Sequence, residues 1–179
     1  MCEEKILMNK QQIDESIKKI STDIINEFGD MANVTLVGIQ TRGVEIAKRI
    51  KKLLELHGGN EIKMGTLDIT FYRDDLATRG VIPAIKDTII EFNITKKIVI
   101  LVDDVIFTGR TTKAALETLM SFGRPQIIRL AVLVDRGNRE LPIQPDYCGI
   151  KINTKLNDKV KVRLKETDGI EDTVLYCTE

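Results

Sequence analysis

The stretch "IVILVDDVIFTGRTT" (98–112) places two adjacent carboxylates, Asp103 and Asp104, directly after a run of aliphatic side chains. Thr108, Gly109, Arg110, Thr111 and Thr112 follow within a few residues. Neighbouring carboxylates repel each other and lose hydration beside an apolar run, so the pair needs hydroxyl donors, a cation, or both. Ribose hydroxyls and a bound magnesium ion answer that need. The residues after the pair lead into a helix N-terminus, where backbone N–H groups, threonine hydroxyls and the helix dipole attract an anion. Gly109 lets the backbone approach closely, and a phosphate fits. Carboxylates for a diol, a few residues from a cradle for a phosphate, suit a ribose 5-phosphate.

Other assignments of these residues differ in context. The acidic pair of a phosphorylated receiver domain follows the first strand, whereas this pair lies past the middle of the chain. "GRTT" lacks the GxxxxGK[ST] spacing of a Walker loop. An ordinary helix cap beside a surface acidic turn is the plain alternative.

Positioning such a site takes a sheet and helices, and the hydrophobic spacing predicts both. From Asn9, Ile13, Ile17, Ile20, Ile24 and Phe28 recur every three or four residues, the stripe of an amphipathic helix ending at Gly29. "VTLVG" (34–38) is a strand, and Ile46, Ala47, Ile50, Leu53 and Leu54 mark a helix that runs to Gly58 and Gly59. "GTLDITF" (65–71) is another strand. A polar segment of weak periodicity, 72–97, follows, and loops of that length are usually lids or disordered. "IVILV" (98–102) and "IIRLAVLV" (127–134) are strands flanking a helix through Ala114, Ala115, Leu116, Leu119 and Met120. Alternating apolar runs and helices predict an α/β fold with a mostly parallel central sheet covered on both faces. "VKVRL" (160–164) reads as a half-solvated strand and "TVLYC" (173–177) as a last edge strand.

Composition is that of an ordinary soluble protein. The chain has 179 residues, 42% hydrophobic and 30% charged, with zero formal charge, which suits one domain over 1–179 with a sizeable core. Neutral balance leaves nucleic-acid binding to a local patch. Cys2, Cys148 and Cys177 are odd in number and widely spaced, against a disulfide framework or a zinc site. No stretch approaches a membrane span and the N-terminus has no long apolar core of a signal peptide, so a cytoplasmic location is expected.

The motifs carry a family resemblance. "VILVDDVIFTGRT" (99–111) resembles the phosphoribosyl pyrophosphate (PRPP) motif of type I phosphoribosyltransferases. With "VGIQTRGVEIAKR" (37–49), "LDITFYRDDL" (67–76), "AVLVDRGNRELPI" (131–143) and "DYCG" (146–149), the chain is most similar to the PyrR family of pyrimidine operon regulators and uracil phosphoribosyltransferases. The resemblance implies that uracil and PRPP give UMP and diphosphate with Mg2+, held mainly through PRPP and also by Asp103 and Asp104. Asp103 and Asp104 would take the ribose hydroxyls, and Val105 to Thr112, including Ile106 and Phe107, would surround the 5-phosphate. Thr41 and Arg42 would receive diphosphate, the alternative being a plain strand-to-helix loop with an exposed arginine. Segment 72–97 matches a flexible catalytic loop in which Tyr72, Arg73, Asp74 and Asp75 would exclude water; Arg73 is taken as catalytic with Asp103, Asp104 and Arg42. A mixed-charge solvated loop is the alternative.

Phe107 stands where purine-using relatives generally carry an aspartate for a ring nitrogen, which favours a pyrimidine. The resemblance points to a small hood, built from parts of the N- and C-terminal segments, that holds the base with Arg136, the backbone at Val160, and Tyr147 stacking; core packing is the alternative for Tyr147 and Val160. It also implies a homodimer or higher homo-oligomer that binds pyrimidine operon leader RNA with UMP. Lys18, Lys19, Arg139 and Lys151 are the candidate RNA contacts. The sequence departs from regulatory members at Asn138, where histidine is common, at Gln144, where arginine is frequent, and in a first helix carrying Asp14, Glu15, Asp23 and Glu27. An enzyme with weakened RNA binding is the alternative implied, and a purine salvage enzyme is disfavoured by Phe107.

Overall fold

Asn9 starts the first helix as the sequence requires: its side chain takes the Gln12 N–H at 3.0 Å while Gln12 Oε1 takes the Asn9 N–H at 2.9 Å, a reciprocal cap. The computed structural model describes residues 3–58, 60–70 and 87–178. In chain order they form β1 (Glu3–Met8), α1 (Lys10–Phe28), β2 (Val34–Ile39), α2 (Arg42–Gly58), β3 (Lys63–Leu67), β4 (Ile98–Ile106), α3 (Arg110–Met120), β5 (Ile127–Asp135), β6 (Tyr147–Lys151), β7 (Lys159–Arg163), α4 (Lys165–Asp168) and β8 (Thr173–Thr178).

Five strands make a parallel sheet in the order β3-β2-β4-β5-β6. Alternate residues feed its two faces. Leu36, Ile100, Val102, Ala131 and Leu133 pack with the stripes of α1 and α2. Val37, Val99, Leu101, Leu130 and Val132 pack with Ala114, Ala115 and Leu119 of α3. Both faces are therefore covered, and the near-continuous aliphatic runs of β4 and β5 follow from burial on both sides.

Connections leave the sheet centre in opposite directions. From β2 the chain crosses through α2 to β3 on one side; from β4 it crosses through α3 to β5 on the other. The carboxyl ends of β2 and β4 thus flank a topological switch point, where open α/β sheets form a crevice.

Two expectations are corrected. β4 does not stop at Val102: pairing with β5 continues to Ile106↔Asp135, whereas β2 pairs with β4 only as far as Gly38↔Val102. Asp103 and Asp104 are strand residues with the β2 side open beside them. The expected edge strand, β8, is central in a second sheet, β1-β8-β7, because β1 pairs along its other side from Glu3↔Thr178. Met8, Val162, Leu164 and Val174 of this part join the core beneath α1 and α2.

The end of the expected loop 72–97 is also built in. Thr66 and Ile89 exchange backbone hydrogen bonds of 2.9 Å each way, and Ile94 is fully buried against α3. Residues 71–86, with Tyr72, Arg73, Asp74 and Asp75, lie outside the described residues, as does Cys2. Among the described residues no helix is long and apolar enough to cross a membrane.

Candidate active site

At the switch point lies a cleft of about 600 Å³, lined by residues 39–42, Ile69, residues 103–112, Arg136 and Val160. β4 supplies the carboxylates. Asp103 is 7% exposed; its Oδ1 takes the Asp104 N–H at 2.9 Å, and Asp104 Oδ1 takes the Val105 N–H at 2.8 Å. Both side chains thus fold onto amides of their own strand where β2 no longer pairs. Burial raises the Asp104 carboxyl above the ordinary carboxylate range, against hydrogen bonds from its neighbours and the positive charge of Arg42.

Arg42 is the first residue of α2, reached from β2 through the short turn at Gln40 and Thr41. Here Gln40 N–H donates to Leu67 O at 2.9 Å and the Gln40–Thr41 peptide is cis. Gly43 brings this helix start onto β4: a Cβ there would lie 2.5 Å from the Val102 carbonyl oxygen and 3.1 Å from Asp103 Cα. Contact that close admits only glycine. The Arg42 guanidinium donates from Nη2 to Asp168 Oδ1 at 2.6 Å and from Nε to Asp168 Oδ2 at 3.2 Å, and this pairing holds its charge firmly.

On the opposite side, residues 107–112 turn into α3. Gly109, at φ 93°, is the N-cap and offers the helix no side-chain acceptor, the condition in which an anion can take the first-turn N–H groups. Thr108 Oγ1 accepts from Arg110 N–H at 3.3 Å, and Arg110 Nε donates to Glu140 at 2.6 Å.

The third wall comes from the second sheet and β5. The Arg136 guanidinium lies 3.9 Å from the centroid of the Phe107 ring. It donates to Thr154 Oγ1 at 3.1 Å, Lys155 O at 3.1 Å and Asp158 O at 2.7 Å. Asp158 is fixed in turn by the Tyr176 hydroxyl at 2.6 Å and the Lys155 N–H at 2.6 Å. β7 brings Val160 to the same wall.

Two candidates fall elsewhere. Tyr147 is buried beneath α1, its hydroxyl donating to Glu27, and is not among the cleft-lining residues; core packing accounts for it. Arg139 is turned inward. It ion-pairs with Asp135 at 2.7 Å and donates to Phe107 O at 2.8 Å, Gly137 O at 3.2 Å and Ile143 O at 2.8 Å. Its charge braces the 107–110 turn instead of facing solvent, because β5 places Asp135 beneath it. Lys18, Lys19 and Lys151 are exposed on α1 and β6, with Lys19 donating to Cys148 O at 3.0 Å. Sequence reasoning missed Asp168, Asp158 and Tyr176, which sit in the C-terminal third with no spacing signature, as well as the lining residues Ile39, Gln40 and Ile69.

A family model for the phosphoribosyl transferase domain matches residues 5–166. Curated relatives include the "Bifunctional protein PyrR" of Clostridioides difficile, 48% identical over 97% of this chain and 98% of that protein. Those of Chloroflexus aurantiacus and Bacillus cereus are each 46% identical over 98% of this chain, covering 96% and 99% of theirs. Solved structures share the fold at lower identity. A Trypanosoma cruzi hypoxanthine phosphoribosyltransferase superposes with TM-score 0.73 at 18% identity, covering 97% of this chain and 91% of that one. A Staphylococcus aureus hypoxanthine phosphoribosyltransferase gives 0.70 at 20%, covering 95% and 90%. Near-full-length identity, the parallel sheet and the acid pair at its switch point agree: the chain belongs to the PyrR family of phosphoribosyltransferases.

Proposed function

We propose that the protein transfers the phosphoribosyl group of PRPP to uracil, giving UMP and diphosphate, and binds pyrimidine operon leader RNA in response to UMP. The observation that carries the first half is one cleft holding three things in order: Arg42, the Asp103–Asp104 pair, and the 108–112 turn. That order matches diphosphate, ribose diol and 5-phosphate along one substrate. Asp103 and Asp104 accept from the ribose hydroxyls, and their charge favours the cationic character that C1 gains as its bond to diphosphate breaks and the bond to the uracil ring nitrogen forms. Fixing both ends of PRPP lowers the entropic cost of reaching that state.

Magnesium fits as a substrate-borne ion. Among the described residues no group of three or more His, Cys, Asp or Glu side chains is arranged to hold a metal, and the carboxylates lining the cleft are Asp103 and Asp104. Diphosphate oxygens would supply most ligands, these two carboxylates the rest. When bound, the ion neutralises charge on the leaving diphosphate.

Phe107 and Arg136 support a pyrimidine. With the guanidinium over the ring, the pair puts no carboxylate where a purine ring nitrogen would need one, and Val160, which lines the same cleft, would meet the base through its backbone. The proposal includes a cytoplasmic homodimer or higher homo-oligomer, with Arg73 completing the catalytic group. The test is an assay with PRPP, Mg2+ and each of uracil, hypoxanthine and guanine. UMP formation at the highest kcat/KM supports the assignment; preference for hypoxanthine or guanine refutes it.

A second reading keeps the enzyme and weakens the regulator. The inward Arg139 removes one cation from the surface, and on α1 Lys19 pairs with Asp23 at 3.7 Å. RNA affinity depends on neutralising phosphates, so each lost cation lowers it. Leader-RNA binding titrated with salt, with and without UMP, separates the readings. Binding that UMP strengthens and salt weakens supports the regulator; weak, UMP-indifferent binding supports the enzyme alone.

A further inference from the structure

Arg42 and Asp168 are 126 residues apart in the chain, yet Asp168 provides both hydrogen bonds that Arg42 makes through its guanidinium among the described residues. Nε and Nη2 are taken; Nη1 is not. An arginine side chain is spread over many rotamers when nothing restrains it. A carboxylate that grips two of its three nitrogens removes most of that freedom before any ligand arrives.

Asp168 is itself held. Its Oδ2 takes the Leu164 N–H at 2.9 Å, across the single turn of α4, which closes at Gly169 with φ 69°. Arg42 lines the cleft and Asp168 does not. The carboxylate therefore stands behind the guanidinium as seen from the site, and Arg42 also feels the attraction of Asp104. Placing a carboxylate near an anion subsite costs repulsion, which is tolerable only if the ordering of Arg42 outweighs it.

We infer that Asp168 is a positioning residue for phosphoribosyl transfer: it fixes the Arg42 guanidinium by Nε and Nη2 so that the Nη1 end meets the diphosphate of PRPP. This rests on the phosphoribosyl-transfer reading above. It gives the C-terminal part of the chain a hand in the diphosphate end of the reaction, not only in holding the base.

The experiment compares the parent chain with Asp168→Asn, which keeps an oxygen for the Leu164 N–H but loses the charge. Diphosphate and UMP binding are measured by calorimetry with Mg2+, and KM for PRPP and uracil from initial rates. Expected are a rise of about tenfold in the diphosphate Kd and the PRPP KM, with UMP affinity and the uracil KM within about twofold. In an Arg42→Ala background, Asp168→Asn should change the PRPP KM no further, whereas a merely structural role would add its effect again. Asp168→Glu should recover part of the loss. Should Asp168→Asn fail to fold, Arg42→Lys carries the test, because an ammonium cannot hold two carboxylate oxygens in that fork; its PRPP KM should rise likewise. Unchanged or tighter diphosphate binding in Asp168→Asn, with UMP synthesis intact in the parent, overturns the inference and leaves the reading standing. A parent that neither binds diphosphate nor makes UMP overturns both.

Discussion

The Arg136 guanidinium carbon lies over the Phe107 ring, 3.9 Å from its centroid, and the guanidinium is anchored by two backbone carbonyls and a threonine hydroxyl. The ring is thus held from one face by a cation that cannot swing away. A cation–aromatic contact of this kind contributes about 0.5–2 kcal/mol, depending on its desolvation.

Phe107→Leu keeps bulk but loses the aromatic face. The expected outcome is an increase of roughly tenfold in the uracil KM with the PRPP KM little changed, since Arg136 keeps its three anchors. Initial rates with each substrate varied in turn check it.

Asp104→Asn should trade activity for stability. Its carboxyl is raised by burial, so the ionised form costs the folded state free energy that a neutral amide avoids. Each kcal/mol gained raises Tm by about 2–4 °C in a chain of this size. UMP synthesis should fall by at least about a hundredfold. Calorimetric melting beside a turnover assay measures both, and a variant melting lower than the parent would contradict the sign.

Acid should stop turnover before it unfolds the protein. Asp104, raised in the folded state, takes up its proton above the ordinary carboxylate value as pH falls, and protonation favours the folded form. Asp168 is lowered by its hydrogen bonds from Arg42, and Glu27 by those from Arg129 and Tyr147. Their stabilising contribution is present above the unfolded value and is lost only as pH drops through their lower folded values. The acid limb of kcat/KM for PRPP should therefore lie at higher pH than the acid unfolding transition seen by circular dichroism. Coincident transitions would argue against the assignment.

Arg139→Ala should damage the enzyme itself. It removes the bonds to Phe107 O, Gly137 O and Ile143 O and leaves Asp135, 2% exposed, without its cation. Breaking a buried pair costs on the order of 3 kcal/mol. Lys18→Ala and Lys151→Ala, both at exposed positions, should instead leave melting temperature and turnover unchanged and lower only RNA affinity, with a reduced salt slope. Denaturant melts, turnover and RNA titration on the three variants separate these effects.

Gly43→Ala should be poorly tolerated. Its Cβ would press on the Val102 carbonyl, backbone that cannot rotate away, and push α2 off the strand carrying the acid pair. A loss of about 1–3 kcal/mol in stability and a raised PRPP KM are expected.

Local pattern was enough for α1, whose isoleucine stripe and Asn9 cap lie within one element, and for the acid pair and its threonine turn, which are contiguous in sequence. What depended on a distant neighbour was not legible. β8 read as an edge because alternation reports which face a strand buries, not which strands lie beside it; its partner at Glu3 is at the other end of the chain. Arg139 read as a surface cation because nothing in "DRGNRE" shows that Asp135 is buried beneath it. Tyr147 read as a stacking ring because an aromatic residue near a site motif looks the same whether it faces ligand or helix; Glu27, 120 residues away, decides the matter. Asp168 gave no signal, since its meaning lies wholly in meeting Arg42.

The position of β8 between β1 and β7 bears on how the protein is made. The phosphate turn, the acid pair and the whole parallel sheet precede residue 173 in the order of synthesis. β1, the first of these strands, has no partner in its own sheet until then. The wall proposed to recognise the base is therefore completed last, when β8 pairs with β7 and brings the Tyr176 hydroxyl to Asp158. A stop anywhere in residues 169–172 would remove β8 and with it the hydroxyl that steadies Asp158 behind Arg136, so an error at the very end of synthesis falls on the choice of base.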